Sequence, residues 1–483
     1  MITKILFTSP ELSHPPIGGP KLRIENSIKA LRQVSELHII SQVSRSNMGG
    51  ESAENFYRKL CANFEYAPSV SNMVSQDTAQ KNAQFIAAYA EANAIDIIWF
   101  GYGNISFALM KLVKTLQPKL RIVCDTDSVW SRFILRELPY EPSAERRAQI
   151  QRAGDQKQQE EAEWVNFCDV TTAVSEVDAN YYRALADDPK RIHLFSNVID
   201  PASYNEQPPE PPGLRKPCLY LAGSFYADPS PMVRAARWML DDILPRVQSI
   251  IPEIHFYIVG KGSREIFAGI ESQHVTVTGQ LPSVLPYLKH ADVALVPLMF
   301  ESGTRFKIME AGVCEVPLVS TTLGAEGLPV VHGRDLLIAD EASAFASAII
   351  QLVKNKPLAS NLAANCKQLI SKFYSIDSLV REASTIIQFL ADQNSAELRL
   401  HDVEAWLALG KQSYQLRQYE QALVHFQQVI ELDPKNVKAW YGVAQIAKQF
   451  DDLRTYRAAS AIVQQSTPLD NHLTTAWLRK TAE

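Results

Sequence analysis

The chain has 483 residues, enough for about three domains at roughly 150 residues each and too long to need a disulfide-stapled scaffold. Lysine plus arginine total 48 against 53 aspartate plus glutamate, a net charge of -5, with 46% hydrophobic and 21% charged residues; these ordinary globular proportions demand no polyanionic partner. The six cysteines, at 61, 124, 168, 218, 314 and 366, keep no metal-ligand or C-x-x-C spacing, so a reducing, cytoplasmic setting is expected, with neither zinc framework nor disulfides. At the amino terminus, MITKILFTSP has one lysine before three consecutive apolar residues, too short for a signal-peptide core, and it reads as a first strand. The most apolar stretch, Ile95 to Val113, is interrupted by Asp96, Asn104 and Lys111, so no membrane span is expected.

From residue 1 to about residue 375 short apolar runs alternate with longer helical patterns, the rhythm of βα units that build parallel sheets. Lys4 to Phe7, Leu37 to Ile40, Ile97 to Phe100, Arg121 to Cys124, Val170 to Ala173 and Ile192 to Phe195 are the expected strands of one doubly wound sheet of six. The segment Asn205 to Cys218, NEQPPEPPGLRKPC, carries five prolines and reads as an extended linker. A second series follows, CLYLAG, HFYIVG, VTVTG, VALVP, PLVST and LLIAD, with amphipathic segments such as Met232 to Ile250 between the runs. Two such sheets joined by a hinge enclose a cleft, with ligands expected at the carboxyl ends of the strands. A last helix is expected from Ile376 to Leu390, then a polar connector from Ala391 to Asp402.

Beyond the connector the pattern is helical only and repeats. Trp406 and Trp440 are 34 residues apart, as are Ala405 and Ala439, and Pro434 and Pro468. With Leu409, Gly410, Tyr414, Tyr419, Ala422, Leu423 and Phe426 between them, the stretch AWLALGKQSYQLRQYEQALVHFQQVIELDP resembles a tetratricopeptide repeat. The second copy is degenerate, with Tyr456 and Ser460 where Ala422 and Phe426 would recur. Arrays of this kind need about three repeats to bury a continuous core, so the pair is expected to lean on the preceding domain or on a protein partner.

The segment richest in chemistry is Leu295 to Leu328, LVPLMFESGTRFKIMEAGVCEVPLVSTTLGAEGL. A strand ending at Pro297, a loop with Gly303 and Thr304, and a helix from near Arg305 to Gly312 would turn backbone amides and a helix amino terminus toward the cleft, a cradle for phosphate oxygens. Arg305 and Lys307 add positive charge, and Glu310 can accept two hydrogen bonds from a vicinal diol. Phosphate plus diol means a nucleotide. The plainer alternatives are that Arg305 and Lys307 pair with Glu301 or Glu310 on the surface, and that Glu310 is a solvated helix-face carboxylate.

At these residues the chain resembles the carboxy-terminal donor domain of GT-B glycosyltransferases of retaining family four, and the resemblance covers most of residues 1 to 390. The family's Glu-Ala-(Met/Gly)-Ala-x-Gly-x-Pro-Val-Val reads here Glu310-Ala311-Gly312-Val313-Cys314-Glu315-Val316-Pro317-Leu318-Val319. SNVID (Ser196 to Asp200), AVSE (Ala173 to Glu176), VGKGS (Val259 to Ser263) and IGG (Ile17 to Gly19) look like its other signatures. The resemblance implies that Glu310 holds the donor ribose, that Gly18, Gly19, Gly223, Gly260, Gly279, Gly303 and Thr304 line the nucleotide site, and that transfer retains anomeric configuration without a metal. Two departures stand out. The family's first Glu of Glu-x7-Glu is Ser302, with Glu301 beside it, and its usual Arg and Lys are missing from Gly223-Ser224-Phe225-Tyr226-Ala227-Asp228. The diphosphate role therefore falls to Arg305 and Lys307, with Lys261 as a competitor.

Asp125-Thr126-Asp127 spells the D-x-D by which GT-A transferases hold a divalent cation. Its place in the first sheet makes Asp127 a candidate acceptor contact, against simple turn capping by Asp125 and Ser128. Gly18 and Gly19 have a similar alternative as an ordinary strand-to-helix turn. The expected architecture is α/β with two Rossmann-like domains, 1-204 on the acceptor side and 205-390 on the donor side, then a 391-402 linker, repeats over 403-470 and a tail over 471-483. The expected activity is transfer from a nucleotide diphosphate sugar to a glycan, lipid or protein hydroxyl, with no cofactor and no nucleic acid. The competing expectation is a binding or scaffold protein whose degenerate transferase core presents the repeats.

Overall fold

A computed structural model of the chain describes residues 2–69, 76–226, 230–450 and 452–464; Ala227, Asp228, Pro468 and the tail 471–483 lie outside the described residues. The chain divides into two units, Met1–Ile387 and Gln388–Glu483.

The first unit contains two sheets. Strands β1 (Lys4–Ser9), β2 (Glu36–Ser41), β3 (Asn63–Tyr66), β4 (Ile97–Gly101), β5 (Arg121–Asp125), β6 (Val170–Ala173) and β7 (Ile192–Leu194) pair in the order β3-β2-β1-β4-β5-β6-β7. Strands β8 (Cys218–Ala222), β9 (His255–Val259), β10 (Val275–Gly279), β11 (Val293–Val296), β12 (Leu318–Ser320) and β13 (Leu337–Ile338) pair in the order β10-β9-β8-β11-β12-β13. Every pairing in both sheets is parallel. Helices cover both faces of such sheets, and the central strands are buried throughout, as the unbroken apolar runs IIWFG and HFYIV require. In each sheet the order reverses between two neighbours, β1/β4 and β8/β11, and there the crevice at the strand ends opens.

The first sheet has seven strands where six were expected. The additional one, β3, is an edge strand whose four residues, NFEY, bury only Phe64, so no apolar run marks it; pairing with β2 makes it a strand. Between β8 and β9, the segment read as one amphipathic helix bends through a π-turn at Met239–Ile243. Pro245 follows directly and cannot donate the bond that a regular turn needs.

The expected break after Leu390 is also absent: one helix runs Ile376–Gln415 through the polar connector. Residues 376 to 409 contain no glycine or proline, so nothing in the local sequence ends the helix. Near its start the chain returns to the segment leaving the first sheet. The Ile199 amide donates to the Tyr374 carbonyl at 3.0 Å, and the Ser196 amide and hydroxyl both donate to Glu382, at 2.7 and 2.8 Å.

In the second unit, helices Tyr419–Leu432, Val437–Gln449 and Leu453–Gln464 follow. Their core centres on the Phe426 ring, which lies so close to Gly410 and Gly442 that a β-carbon at either would fall within 2.6 Å of it. In the degenerate copy Ala439 and Ala459 are fully buried, with Tyr456 only partly buried. Among the described residues no helix is long and apolar enough to cross a membrane.

One buried ion pair braces the first sheet. Arg23, on helix Gly19–Leu31, is 2% exposed and Asp125, at the end of β5, is fully buried. The guanidinium donates to Asp125, to the Phe195 carbonyl at 2.9 Å and to Asn197 Oδ1 at 2.9 Å, and Thr172 adds a bond to Asp125 at 2.7 Å. Arg23→Met strands a buried carboxylate and should cost about 3–5 kcal/mol in chemical denaturation, whereas Arg23→Met combined with Asp125→Leu should recover most of that loss. Equal stability of the single and double variants would show that the pair does not act as a unit.

Candidate functional site

The loop between β11 and helix Phe306–Val313 forms as its sequence requires. Gly303 has φ +76°, and a β-carbon there would sit 2.6 Å from the Asp127 carbonyl oxygen, so only glycine lets the loop pass against the first sheet. Arg305 is 5% exposed and folds back on its own loop, donating Nη1 to the carbonyls of Ser302, at 2.8 Å, and Gly303. Its Nε and Nη2 are buried without a partner among the described residues. The amides of Gly303, Thr304 and Arg305 have no acceptor among the described residues, and no side chain caps the helix that follows. Free amides at a glycine turn, an uncapped helix start and a guanidinium with two unpaired nitrogens form a site with unmet demand for an anion.

Lys307 and Glu310, both half-buried, line a narrow crevice with Tyr220 and Ala222 of β8, Leu288, and Ala294 to Val296 of β11. Lys307 makes no hydrogen bond or ion pair with the described residues, so the pairing expected as the plainer alternative does not form. Burial pushes its ammonium pKa down, against the pull of Glu310 and Glu301. Glu310 accepts a bond from the Tyr204 hydroxyl on Oε1 at 2.9 Å; burial pushes its carboxyl up, with Tyr204 and Lys307 opposing. The solvated helix-face carboxylate is thereby replaced by a held one.

The remaining glycines have structural reasons of their own. A β-carbon on Gly260 (φ +131°) would land on the Gly223 carbonyl oxygen, and one on Gly279 would meet the Arg264 side chain at 3.1 Å. The amides of Gly223 and Gly260 bond Val259 and Gly279, so these loops stack at the strand ends backbone on backbone. Lys261, the competitor for the diphosphate role, is exposed on that turn. Gly18 (φ +85°) has open space where a side chain would go, whereas a β-carbon on Gly19 would touch the Phe306 ring at 3.0 Å. The first glycine turn thus approaches the helix that carries Lys307 and Glu310.

The D-x-D pair separates. Asp125 takes Arg23 and Thr172 on Oδ1, and its Oδ2 is buried without a partner among the described residues. Asp127 is partly exposed and accepts long bonds from Asn104 (3.2 Å) and Trp130 (3.4 Å); burial raises its pKa, with the Tyr102 hydroxyl, Arg23 and Trp130 opposing. Tyr102 itself sits at φ +62°, a strained geometry for a tyrosine.

The junction brings Asn197 of the SNVID segment and Ser302 together with two arginines and a glutamate, Arg132, Arg136 and Glu326, that were not singled out from the sequence. Asn197 donates to the Thr304 hydroxyl at 2.9 Å while its Oδ1 accepts from Arg23. Ser302 Oγ accepts the Val129 amide at 3.1 Å. Arg136, just beyond helix Trp130–Leu135, holds both oxygens of Glu326 at 2.7 Å and the Glu301 carbonyl at 2.6 Å. Arg132 bridges Glu326 and Asp178 at 3.3 Å each. Burial works against charge on Glu326, but the Arg136 hydrogen bond and the nearby arginines hold its carboxyl below the usual range. Glu326 lies in the GAEGL that ends the loop-helix segment.

Residues 217–355 match the family model described as glycosyl transferases group 1, and residues 403–436 match that of the tetratricopeptide repeat. Comparison with curated protein sequences finds no match. Among solved structures, the chain is similar to HepE of Anabaena in complex with UDP and glucose, at 13% identity and a TM-score of 0.57, over 80% of this chain and 99% of that one. It is also similar to sucrose-phosphate synthase of Thermosynechococcus elongatus, at 16% identity and 0.58, over 81% of this chain and 100% of that one. A glycosyltransferase of Rickettsia africae gives 13% identity and 0.56, over 81% and 99%. At such identities the likeness is one of fold, and the chain therefore has the GT-B architecture, with a segment of the glycosyl transferases group 1 type in its second sheet and a tetratricopeptide segment after it.

Proposed function

We propose that this chain is a glycosyltransferase that moves a sugar from a nucleoside diphosphate sugar to an acceptor hydroxyl of a glycan, lipid or protein. The observation that carries the reading is the loop 303–305, where three free amides and two unpaired guanidinium nitrogens meet at an uncapped helix start. Breaking the glycosidic bond loads negative charge onto the leaving diphosphate, and donors fixed in advance stabilise that charge without reorganising. Lys307 stands in the first turn of that helix as a cation without a bonded partner among the described residues. Glu310 has one oxygen held by Tyr204 and keeps Oε2 for a ribose diol. Because HepE was solved with UDP, UDP is the first nucleotide to test.

Retention and metal independence belong to the same proposal. The departing phosphate oxygen can take the acceptor proton on the face where the bond breaks, so no enzymic nucleophile is needed, and the chain's own cations replace a divalent ion. In this reading Asp127 contacts the acceptor and the repeats bind a protein partner. One observation favours the competing reading, a binding protein on a degenerate core: Ser302 stands at the family's first Glu position and its hydroxyl is occupied by the Val129 amide.

Release of UDP from a panel of UDP-sugars separates the two. Slow donor hydrolysis is expected of a working cleft without its acceptor; UDP binding without hydrolysis or transfer would favour the binding protein. Glu310→Gln keeps an acceptor for Tyr204 and removes the charge, so it should leave folding intact and weaken UDP about 10-fold in calorimetry, equal to about 1.4 kcal/mol. Unchanged affinity would remove Glu310 from the ribose site. Donor turnover should survive exhaustive chelation, and loss of turnover restored by manganese or magnesium would overturn the metal-independent mechanism.

A further inference from the structure

We propose that Arg136, held by Glu326, is a positioning residue contributed by the first sheet's side that completes the anion cradle on the second. The inference rests on reading loop 303–305 as the diphosphate site. A planar peptide sets the carbonyl of one residue antiparallel to the amide of the next. Each of three successive carbonyls here is tied to a guanidinium: Ser302 and Gly303 to Arg305, and Glu301 to Arg136 at 2.6 Å. The two ties to Arg305 turn the following amides, of Gly303 and Thr304, to the opposite side, where they stay free among the described residues; the tie to Arg136 precedes the Ser302 amide, which bonds Glu301 Oε1 at 3.3 Å, and so fixes the peptide by which the chain enters the cradle. Two ties come from the loop's own arginine. The third crosses between the sheets.

Glu326 makes that crossing possible. Its carboxylate takes both terminal nitrogens of Arg136 at 2.7 Å, the paired geometry that a guanidinium fork favours. The fork is thereby fixed with Nη1 within reach of the Glu301 carbonyl as well. Arg132 steadies Glu326 from the same helix and reaches Asp178 on the first sheet's side. Since the loop also meets Val129 and Asp127 of that side, the cradle has its full set of supports only while the two sheets' sides are closed on each other.

The test uses the full chain with Arg136→Ala, Arg136→Lys and Glu326→Gln. In donor hydrolysis, Arg136→Ala should lower kcat about 100-fold, the scale of a small misplacement in a preorganised site, with KM for the donor and Kd for UDP little changed. Arg136→Lys keeps the charge without the fork and should stay closer to the alanine variant than to the parent. Glu326→Gln should lower kcat with the same unchanged KM. Hydrogen exchange over residues 300–306 should quicken in Arg136→Ala while the strands of both sheets keep their protection. Full rescue by lysine, a parallel loss of UDP affinity, or unchanged exchange in that segment would overturn the proposal. If the parent hydrolyses no donor, the transferase reading fails instead. Hydrogen exchange over 300–306 in the nucleotide-free protein then decides the positioning role: faster exchange in Arg136→Ala supports it, and equal exchange in both proteins refutes it.

Discussion

The arrangement depends on a guanidinium that cannot be left alone. Arg23 lies inside the first sheet's core region, and a buried charge without a partner costs several kcal/mol, so every element that supplies its partners is constrained at once. Asp125 fixes the end of β5, the Phe195 carbonyl fixes the chain leaving β7, and Asn197 fixes the segment that leads away to the second sheet. Asn197 then spends its amide on Thr304. A bond network that begins as bracing for the first sheet therefore ends on the loop that carries the free amides.

Close approach between the two sheets' sides is the second constraint, and it is met by removing side chains. Gly303 passes against Asp127 and Ser128, Gly19 against Phe306, and a β-carbon on Gly327 would lie 2.9 Å from both Ser175 and Thr304. Around these contacts aromatic packing adds to the charged cluster of Arg132, Arg136 and Glu326. Phe300 sits between Phe133 and Tyr140, at 6.4 and 6.0 Å between ring centres, and Arg234 lies over the Tyr140 ring. Non-directional packing brings the sides together, and the directional bonds of Arg136, Asn197 and Ser302 set the register.

The same geometry gives the glycine signatures two meanings. Gly260 and Gly223 are demanded by backbone stacking at the strand ends, whether or not a ligand is present. Gly303 is demanded by the approach to Asp127, and it also leaves amides free. A substitution at the first kind tests the fold, and one at the second tests fold and site together, which is why Glu310 and Arg136 are the more informative probes.

The two doubly wound sheets, the loop-to-helix segment around Gly303 and Glu310, and the single well-formed repeat are legible in the amino-acid order alone. Each of these is written locally: apolar runs of strand length, glycine at a turn, small and aromatic residues at fixed offsets. The amino-acid order did not reveal β3, because an edge strand with one buried residue leaves no apolar run, nor the helix through 391–402, because polar composition resembles a linker until the lack of a stop signal is weighed. It placed Arg305 and Lys307 beside the turn but not the division of labour between them, in which one arginine nitrogen holds its own loop while the lysine stays unpaired. The roles of Arg23, Arg136, Asn197 and Glu326 were decided only by tertiary structure. Their partners lie between about 100 and 190 residues away in the chain, and at that separation no local pattern records which charge will meet which; burial and the geometry of the closed sheets choose the pairs.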